Sequence, residues 1–352
     1  MNIYVMNGLS GIENIIEVYE SVIWNIQFFG CSEFQLICPY NSYTSSLLLI
    51  GKLLVREPDI GTNEFRNVMR IDRRKISFDA EKGWTIEVSG SGLKKMIGQR
   101  IIWTQLNYTN ANVETAIRDV ITKNIISPTN SDRTISNFIL DTAVGFTDTF
   151  DMQAFSENLA EWVEEVCTTY GYGWDVYIKN GKYVFTLIAG TNRTNGASND
   201  FVAFSEEFDN ISSMTYDYAR DNYYNAALIG GEGEGTSQVV ESIGSDTGLT
   251  RFETYIDASE VSSNGEIITL ATYRLMLRSY GIIQLSNSQF ERKLDGELIP
   301  TGQYEFGVDY FVGDIVAISI LGLSASARII EMIYSEDSNG STLLPTFSDW
   351  GL

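Results

Sequence analysis

Short runs of β-branched and aromatic residues, separated by turns, lie at both ends of this 352-residue chain. Near its start, these runs occupy Ser21–Phe29, Glu33–Cys38 and Leu47–Val55, and the turn 79–83 connects two further strands. Near its end, they occupy 315–320, 327–334 and 343–347. Such residues favour strands, and several short strands with turns between them are typical of small antiparallel barrels. Both ends are therefore predicted to fold as β units.

The middle of the chain carries helical periodicity. Asn112 can cap a helix over Val113–Ile125, whose apolar residues recur at spacings of three and four. Ser156 can cap a second helix, which Gly171 is placed to end. The dipeptide Asn180-Gly181 lies between two alternating runs and predicts a tight hairpin. Strands and helices therefore follow one another in this part.

The predicted fold class is α+β and predominantly β, with two small β-barrel-like domains flanking α+β domains. Residues 1–102 are expected to form the first β-barrel domain, and 103–200 an α+β domain of two helices and a hairpin. Residues 201–285 are expected to form a mixed α/β domain, which contributes strands to the C-terminal barrel and has a helix over Ile267–Tyr280 ending at Gly281. Residues 286–352 are expected to form the second β-barrel domain.

Charge and histidine content exclude several classes of function. The formal net charge is −22, from 24 Lys plus Arg and 46 Asp plus Glu. Because such an acidic surface repels nucleic-acid phosphates and anionic membranes, DNA binding is not expected as the main function. The chain has 0 histidines, and histidine is the usual general base near neutral pH. Ser-His-Asp and Cys-His nucleophilic sites and His-containing zinc sites are therefore excluded.

Paired carboxylates are the remaining catalytic device, because glycosidases use two of them. The acidic group Glu161, Glu164 and Glu165 lies on the polar side of the second helix, which predicts a solvated face. Asp79 and Glu81 fall in a turn, where their side chains support the turn geometry. In the segment 230–235, two glutamates alternate with glycines, which predicts a loop. No catalytic residue, cofactor or metal site is therefore predicted.

The cysteines and the hydropathy pattern predict neither disulfides nor a segment that inserts into a membrane. Cys31, Cys38 and Cys167 form no CxxC pair, and we expect small buried side chains in a reducing compartment. No apolar run is long enough to predict a membrane span, and no signal peptide is expected.

Two sequence features indicate surfaces that could contact a partner protein. Tyrosines concentrate at 216–224, where they favour an interface or strand packing over a sugar-binding platform. Five cations and one carboxylate lie within 66–75, RNVMRIDRRK. On an acidic protein, such a patch can dock an acidic neighbour or a second copy of the chain, and a solvated strand face explains it equally well.

Four stretches, in this order and spacing, resemble the siphophage tail-hub family of tail-associated proteins, which is similar in fold to the central baseplate hub of contractile-tailed phages. They are EFQLICPYN…LLLIGKLLVRE with the basic hairpin after it, WTIEVSGSGLKKMIGQRIIW, YDYARDNYYNAALIGGEGEG, and YEFGVDYFVGDIVAI followed by ARIIEMIYSED and LLPTFSDWG. None of them is a catalytic motif. The resemblance implies barrel-like domains near both ends, so that three copies place six similar barrels in a ring.

The resemblance also implies a function. The chain is expected to be a structural tail-tip or baseplate hub in the virion, a homotrimer assembled in the host cytoplasm that joins the tail tube to the distal tip and guides DNA exit. Expected partners are the distal tail protein ring or tail tube, the tape-measure protein, and tail fibres or receptor-binding proteins. DNA is expected to pass through the ring without specific binding. The candidate interface residues are Arg70, Arg73, Arg74, Lys75, Asp309, Tyr310, Phe311 and Asp314.

Two other functions remain as alternatives. A carboxylate-based cell-wall glycan hydrolase predicts a cleft with two close carboxyl groups, one of them with a raised pKa. A carbohydrate-binding tail adhesin predicts an exposed aromatic platform.

Overall fold

A computed structural model describes residues 2–56, 63–81, 83–265, 267–288, 291–299, 303–320 and 322–348. Lys82 of the predicted turn and residues 349–351 of the closing LLPTFSDWG stretch lie outside the described residues.

Strands dominate both ends of the chain, and helices lie between them. The α-helices are α1 (Ser42–Leu47), α2 (Lys94–Ile97), α3 (Val113–Ile121), α4 (Leu159–Tyr170) and α5 (Leu270–Ser286), and a π-helical turn, Thr122–Ile126, continues directly from α3. The strands are β1 (Ile3–Met6), β2 (Ile12–Ile16), β3 (Ser21–Gln27), β4 (Glu33–Pro39), β5 (Leu53–Arg56), β6 (Glu64–Phe65), β7 (Met69–Asp79), β8 (Gly83–Gly92), β9 (Leu106–Asn112), β10 (Phe138–Leu140), β11 (Thr149–Ala154), β12 (Gly173–Lys179), β13 (Lys182–Ile188), β14 (Ala203–Ser205), β15 (Ile211–Ala219), β16 (Ala226–Gly230), β17 (Val240–Ile243), β18 (Glu253–Asp257), β19 (Glu291–Leu298), β20 (Ile315–Ile320), β21 (Leu323–Asp337) and β22 (Gly340–Ser348).

One large sheet joins the two ends of the chain. Its main path runs β15-β19-β22-β21-β3-β4-β8-β7-β5-β1-β2, and β20 connects β14 to β21. The junction is the antiparallel pair β3–β21, in which Gln27 lies opposite Glu331 and Val22 opposite Glu336. The predicted α+β, predominantly β class is confirmed. Among the described strands, this path has two free ends and does not close into a barrel.

The middle of the chain forms a smaller sheet covered by helices. Strands β10, β13, β12 and β6 pair in that order, and the apolar sides of α3 and α4 share one buried cluster with them. The Asn180-Gly181 turn closes the β12–β13 hairpin, as predicted. The cap of α4 is Asn158 instead of Ser156, and its Oδ1 accepts from Ala160 N at 3.0 Å. Gly171 ends this helix in the left-handed region, with φ 69°.

A third unit pairs a small sheet with α5. Strands β17, β16 and β18 form this sheet. The helix continues past Gly281 to Ser286, although a glycine was expected to end it. A Cβ at Gly281 would lie 2.5 Å from Ile229 Cδ1. The glycine therefore lets the helix approach β16 closely instead of ending it.

The predicted strand over 47–55 is divided in the structure. Asn41 and Thr44 form a capping box that begins α1, and β5 starts only at Leu53. Leu49 and Ile50 lie in the turn between them and are 43% and 66% exposed. The capping box favours a local helix, which shortens the strand that follows.

Candidate interaction surfaces

The ends of β7 and β8 form an arm at the rim of the large sheet, defined here as residues 73–79 and 83–87. β7 is its outer strand, whereas β8 still pairs with β4 up to Thr85, which lies opposite Pro39. No β7 residue from Arg73 to Asp79 is buried. Phe78 and Trp84 are 63% and 56% exposed, and their ring centroids lie 5.2 Å apart. The arm therefore offers an aromatic pair to a partner.

The apolar side of the arm is a continuation of the core-facing side of the sheet. Ile76 lies opposite Ile86, and Phe78 lies opposite Trp84. Ile86 is 0% exposed, whereas Ile76 is 39% exposed. The same face is thus buried at Ile86 on β8 and partly exposed at Ile76 on β7, the outer strand.

The four basic residues predicted as interface positions lie on β7, three of them within the arm. Arg70 Nε pairs with Asp72 Oδ1 at 2.8 Å, and Lys75 Nζ lies 3.5 Å from Glu87 Oε2. Arg74 Nη2 donates to the Ser45 carbonyl and hydroxyl at 3.2 and 3.0 Å. Arg73 is exposed. Arg73 and Lys75 are therefore the members of this set most available to an acidic neighbour.

The second predicted segment, 309–314, divides into exposed and buried residues. Phe311 is 46% exposed, whereas Tyr310 is 1% and Asp314 3% exposed. Asp314 Oδ2 pairs with Arg193 Nε at 2.6 Å. Asp309 Oδ2 accepts from Glu305 N at 2.7 Å. Tyr310 and Asp314 thus hold the segment in place, and Phe311 is the side chain that it presents to solvent.

A buried lysine connects the large sheet to the middle unit. Lys94 is 3% exposed, and its Nζ donates to the carbonyls of Gln27, Phe28 and Gly30 at 2.8, 3.0 and 2.9 Å. Burial lowers the pKa of Lys94, and the nearby Asp175 carboxylate opposes that change. Sequence inspection missed this residue, because lysine is normally a surface residue and its neighbours carry no distinguishing pattern.

The acidic side chains of α4 are less solvated than predicted. Glu161 is exposed, whereas Glu164 and Glu165 are partly buried, because α5 packs beside α4 and Gln284 Nε2 donates to Glu165 Oε2 at 3.1 Å. Burial raises the pKa of both Glu164 and Glu165. A cleft of about 1010 Å³ separates α4 from the C-terminal strands. Its acidic lining residues are Glu161, Glu164, Glu165, Asp295, Glu297 and Glu331.

Another glutamate, Glu157, was not singled out from the sequence. Its Oε2 atom is buried without a hydrogen-bond partner in the described part of the chain. Burial, reinforced by the negative charges of Glu165 and Glu260, raises the pKa of Glu157 to about 8. A group with this property titrates near neutral pH, although the chain has no histidine.

The other predicted polar sites have local structural roles. Asp79 Oδ1 accepts from Glu81 N at 2.8 Å within the turn. Glu232 accepts from the Ser262 hydroxyl at 2.7 Å and from Ser263 N at 2.9 Å, so it organises a loop. Tyr216 and Tyr218 stack with ring centroids 6.4 Å apart.

Within the described residues, the chain has no disulfide, no metal-ligand cluster and no membrane-spanning helix. The three cysteines are free thiols; Cys38 and Cys167 are buried and Cys31 is partly buried. Over the described ranges, no group of three or more Cys, Asp or Glu side chains is arranged to hold a metal ion. No helix within those ranges has the length and apolar character needed to span a bilayer.

Comparison with solved structures shows a shared fold. The 43 kDa tail protein of prophage MuSo2 from Shewanella oneidensis has a TM-score of 0.60 and 16% identity, over 99% of this chain and 98% of that one. The tail protein from Neisseria meningitidis MC58 has a TM-score of 0.58 and 12% identity, over 99% and 96%. Prophage tail protein gp18 from Listeria monocytogenes EGD-e has a TM-score of 0.52 and 11% identity, over 98% and 94%.

Sequence comparison shows the family. No curated protein sequence gives a significant match. The profile of the family described as Siphovirus ReqiPepy6 Gp37-like protein matches residues 2–348. The siphophage resemblance is thereby confirmed: with a match over almost its whole length and the fold of phage tail proteins, this chain belongs to the siphovirus Gp37-like family.

Proposed function

We propose that this protein is a non-enzymatic hub of the phage tail tip or baseplate, in which three copies form a ring. The observation that carries the proposal is the β3–β21 pairing, which puts the N-terminal and C-terminal β units side by side in one sheet. Three copies then supply six β units, as a connection to a six-fold tail tube requires. A contact between different surfaces of identical copies produces a ring when the rotation closes.

The ring would lie in the virion between the tail tube or distal tail protein ring and the distal tip. The arm is suited to contact a neighbour, because Phe78 and Trp84 expose apolar surface on one of its faces and the cations Arg73 and Lys75 lie on the other. In the C-terminal unit, Phe311 and Asp309 are the candidate contact residues. The tape-measure protein and the tail fibres or receptor-binding proteins are the other partners that this position implies.

The charge of the chain supports a role in DNA exit. With a net charge of −22, a channel wall built from this surface would repel phosphate and let DNA slide without binding. A channel lined by neutral or basic side chains in a solved trimer would contradict this part of the proposal.

Two measurements test the hub function. Light scattering of the purified protein over a range of concentrations, combined with cross-linking of isolated tails, is expected to give the mass of a trimer. Electron micrographs are expected to show a three-fold ring with a central opening at the tail tip. A monomeric mass in solution together with an absence of trimers in cross-linked tails would contradict the proposal.

The acidic cleft favours one second candidate, a cell-wall glycan hydrolase. A carboxyl group with a raised pKa is what a glycosidase needs as its general acid, and burial raises the pKa of Glu164 and Glu165. Clearing of a peptidoglycan suspension by the wild-type protein, lost in both Glu164→Gln and Glu165→Gln, would support this function. Equal turbidity with wild-type protein and buffer would rule it out.

A further inference from the structure

The small sheet β17-β16-β18 has an exposed apolar face. α5 packs against the other side, where Ile229 and Ile243 are buried. Leu228, Val240 and Tyr255 are 46%, 42% and 54% exposed, and Leu228 lies opposite Tyr255 in the register. Single exposed apolar residues are common, but adjacent ones on a sheet indicate a contact surface.

Two carboxylates border this apolar surface. Glu253 and Asp257 each lie two residues from Tyr255 along β18, so all three side chains are exposed on the same side of the sheet. Arg251 Nε pairs with Glu253 Oε1 at 2.6 Å, so Asp257 supplies the remaining negative charge. We call Leu228, Val240, Glu253, Tyr255 and Asp257 the sheet face.

The outer side of α5 has the opposite charge. Its exposed residues Ala271, Leu275, Arg278 and Ile282 recur at the spacing of one helical stripe. Leu275 and Ile282 are 47% and 50% exposed. We call these four residues, together with Arg274, the helix face.

The helix face keeps a positive charge after its internal pairing. Arg274 Nη1 and Arg278 Nη1 lie 3.1 and 3.5 Å from the two oxygens of the same side chain, Glu241. Two guanidinium groups paired with one carboxylate leave a net charge of +1. The helix face is therefore apolar and basic, whereas the sheet face is apolar and acidic.

We propose that the sheet face of one copy packs on the helix face of the next copy in the ring. This inference rests on the proposed hub function and names one contact that holds the ring together. A helix on the open face of a sheet is a normal packing layer, and it would complete a sheet that has a helix on one side only. Charge complementarity between Asp257 and the α5 guanidinium groups favours a second copy of this chain as the occupant.

The geometry of the two faces determines the type of assembly. The faces use different residues and lie on different sides of one unit, so the contact is heterologous. Such a contact forms a closed ring when its rotation closes and an open filament when it does not. It therefore fits a trimer and does not produce a two-fold dimer.

Site-specific cross-linking between separately purified variants tests the contact. One variant is Ser242→Cys, at a position opposite Leu228 on the sheet. The other is Ala271→Cys, at a position on the helix face. A mixture of the two, treated with a short bismaleimide, is expected to give a cross-linked pair that neither variant gives alone. Ser242→Cys mixed with Asp132→Cys, an exposed residue of the middle unit, is the matched control, and wild type accounts for the native cysteines.

The outcomes separate this inference from the hub function. A trimeric wild type without the Ser242→Cys to Ala271→Cys product, or with equal product in the control mixture, overturns the inference and leaves the hub function standing. A wild type that gives no trimer in solution or in tails overturns the hub function itself.

A charge exchange provides an independent readout. Asp257→Lys and Arg278→Glu, made separately, are each expected to raise the dissociation constant of the contact about two- to fivefold, as the loss of an exposed ion pair does. The double variant is expected to recover most of the loss, because the exchanged charges attract again. Additive losses in the double variant would overturn the contact.

Discussion

Glu331 on β21 lies opposite Gln27 on β3, and its carboxylate accepts a hydrogen bond from the Gln27 side-chain amide at 3.0 Å. The same Oε1 atom accepts from Asn25 Nδ2 at 2.8 Å, and Oε2 accepts from Thr346 Oγ1 at 3.1 Å. One side chain thus connects three strands that come from opposite ends of the chain. This connection holds together the two β units on which the proposed hub function depends.

Glu331→Ala is expected to destabilise the chain by about 1–3 kcal/mol, because it leaves the partly buried Asn25 and Gln27 amides without their acceptor. Urea unfolding followed by tryptophan fluorescence measures the change. Glu17→Ala, at an exposed position, is the control and is expected to leave the midpoint unchanged. Equal midpoints for the two variants would show that Glu331 does not stabilise the junction.

Lys94→Met is expected to cost about 3–5 kcal/mol of unfolding free energy, as the loss of one partner from a buried charged group does. Three carbonyls lose their donor, and Asp175 loses the cation that most stabilises its charge. The double variant with Asp175→Asn is expected to be less destabilised than the sum of the single losses. Full additivity in this double-mutant cycle would indicate that Lys94 and Asp175 do not interact.

The raised pKa of Glu157 predicts an unusual dependence of stability on pH. Its pKa is raised from 4.5 to about 8 in the folded chain, so between these values the folded state holds a proton that the unfolded state releases. Glu157 therefore makes its full contribution to the free energy of unfolding below pH 4.5. This contribution is lost as the pH rises toward 8, by at most about 1.4 kcal/mol per pH unit.

Glu157→Gln is expected to remove this part of the dependence. Thermal unfolding midpoints of the variant should fall less between pH 5 and pH 8 than those of wild type. Glu161→Gln, exposed in the first turn of α4, is the matched control and should follow wild type. A variant whose pH profile coincides with that of wild type would refute the assignment.

Phe78→Ser combined with Trp84→Ser tests the arm. Both side chains are mostly exposed, so the unfolding free energy is expected to change by less than about 0.5 kcal/mol. Incorporation of the protein into tails, measured by complementation with the variant gene, is expected to drop. Ile86→Ser, on the same face but buried, should instead destabilise the chain by about 3 kcal/mol or more. Normal incorporation of the double variant would argue against the arm as a contact surface.

Local structure was largely predictable from local residues. The Asn180-Gly181 hairpin and the end of α4 at Gly171 follow from backbone preferences that few other residues share. The strand Ile315–Ile320 was found with its bounds because its β-branched residues form a short run between Gly313 and Gly322. Gly281 was misjudged because its missing Cβ serves contact with Ile229, which is distant in the chain.

The sequence by itself determined the order of strands and helices, the predominantly β class and the exclusion of histidine chemistry, because these depend on residue type and near neighbours. The tertiary structure alone decided which strands pair across the chain. Gln27 and Glu331 are 304 residues apart, and nothing in either segment specifies the other. Burial of Lys94, Glu157 and Glu164 was decided in the same way, because desolvation depends on every element that packs around a side chain.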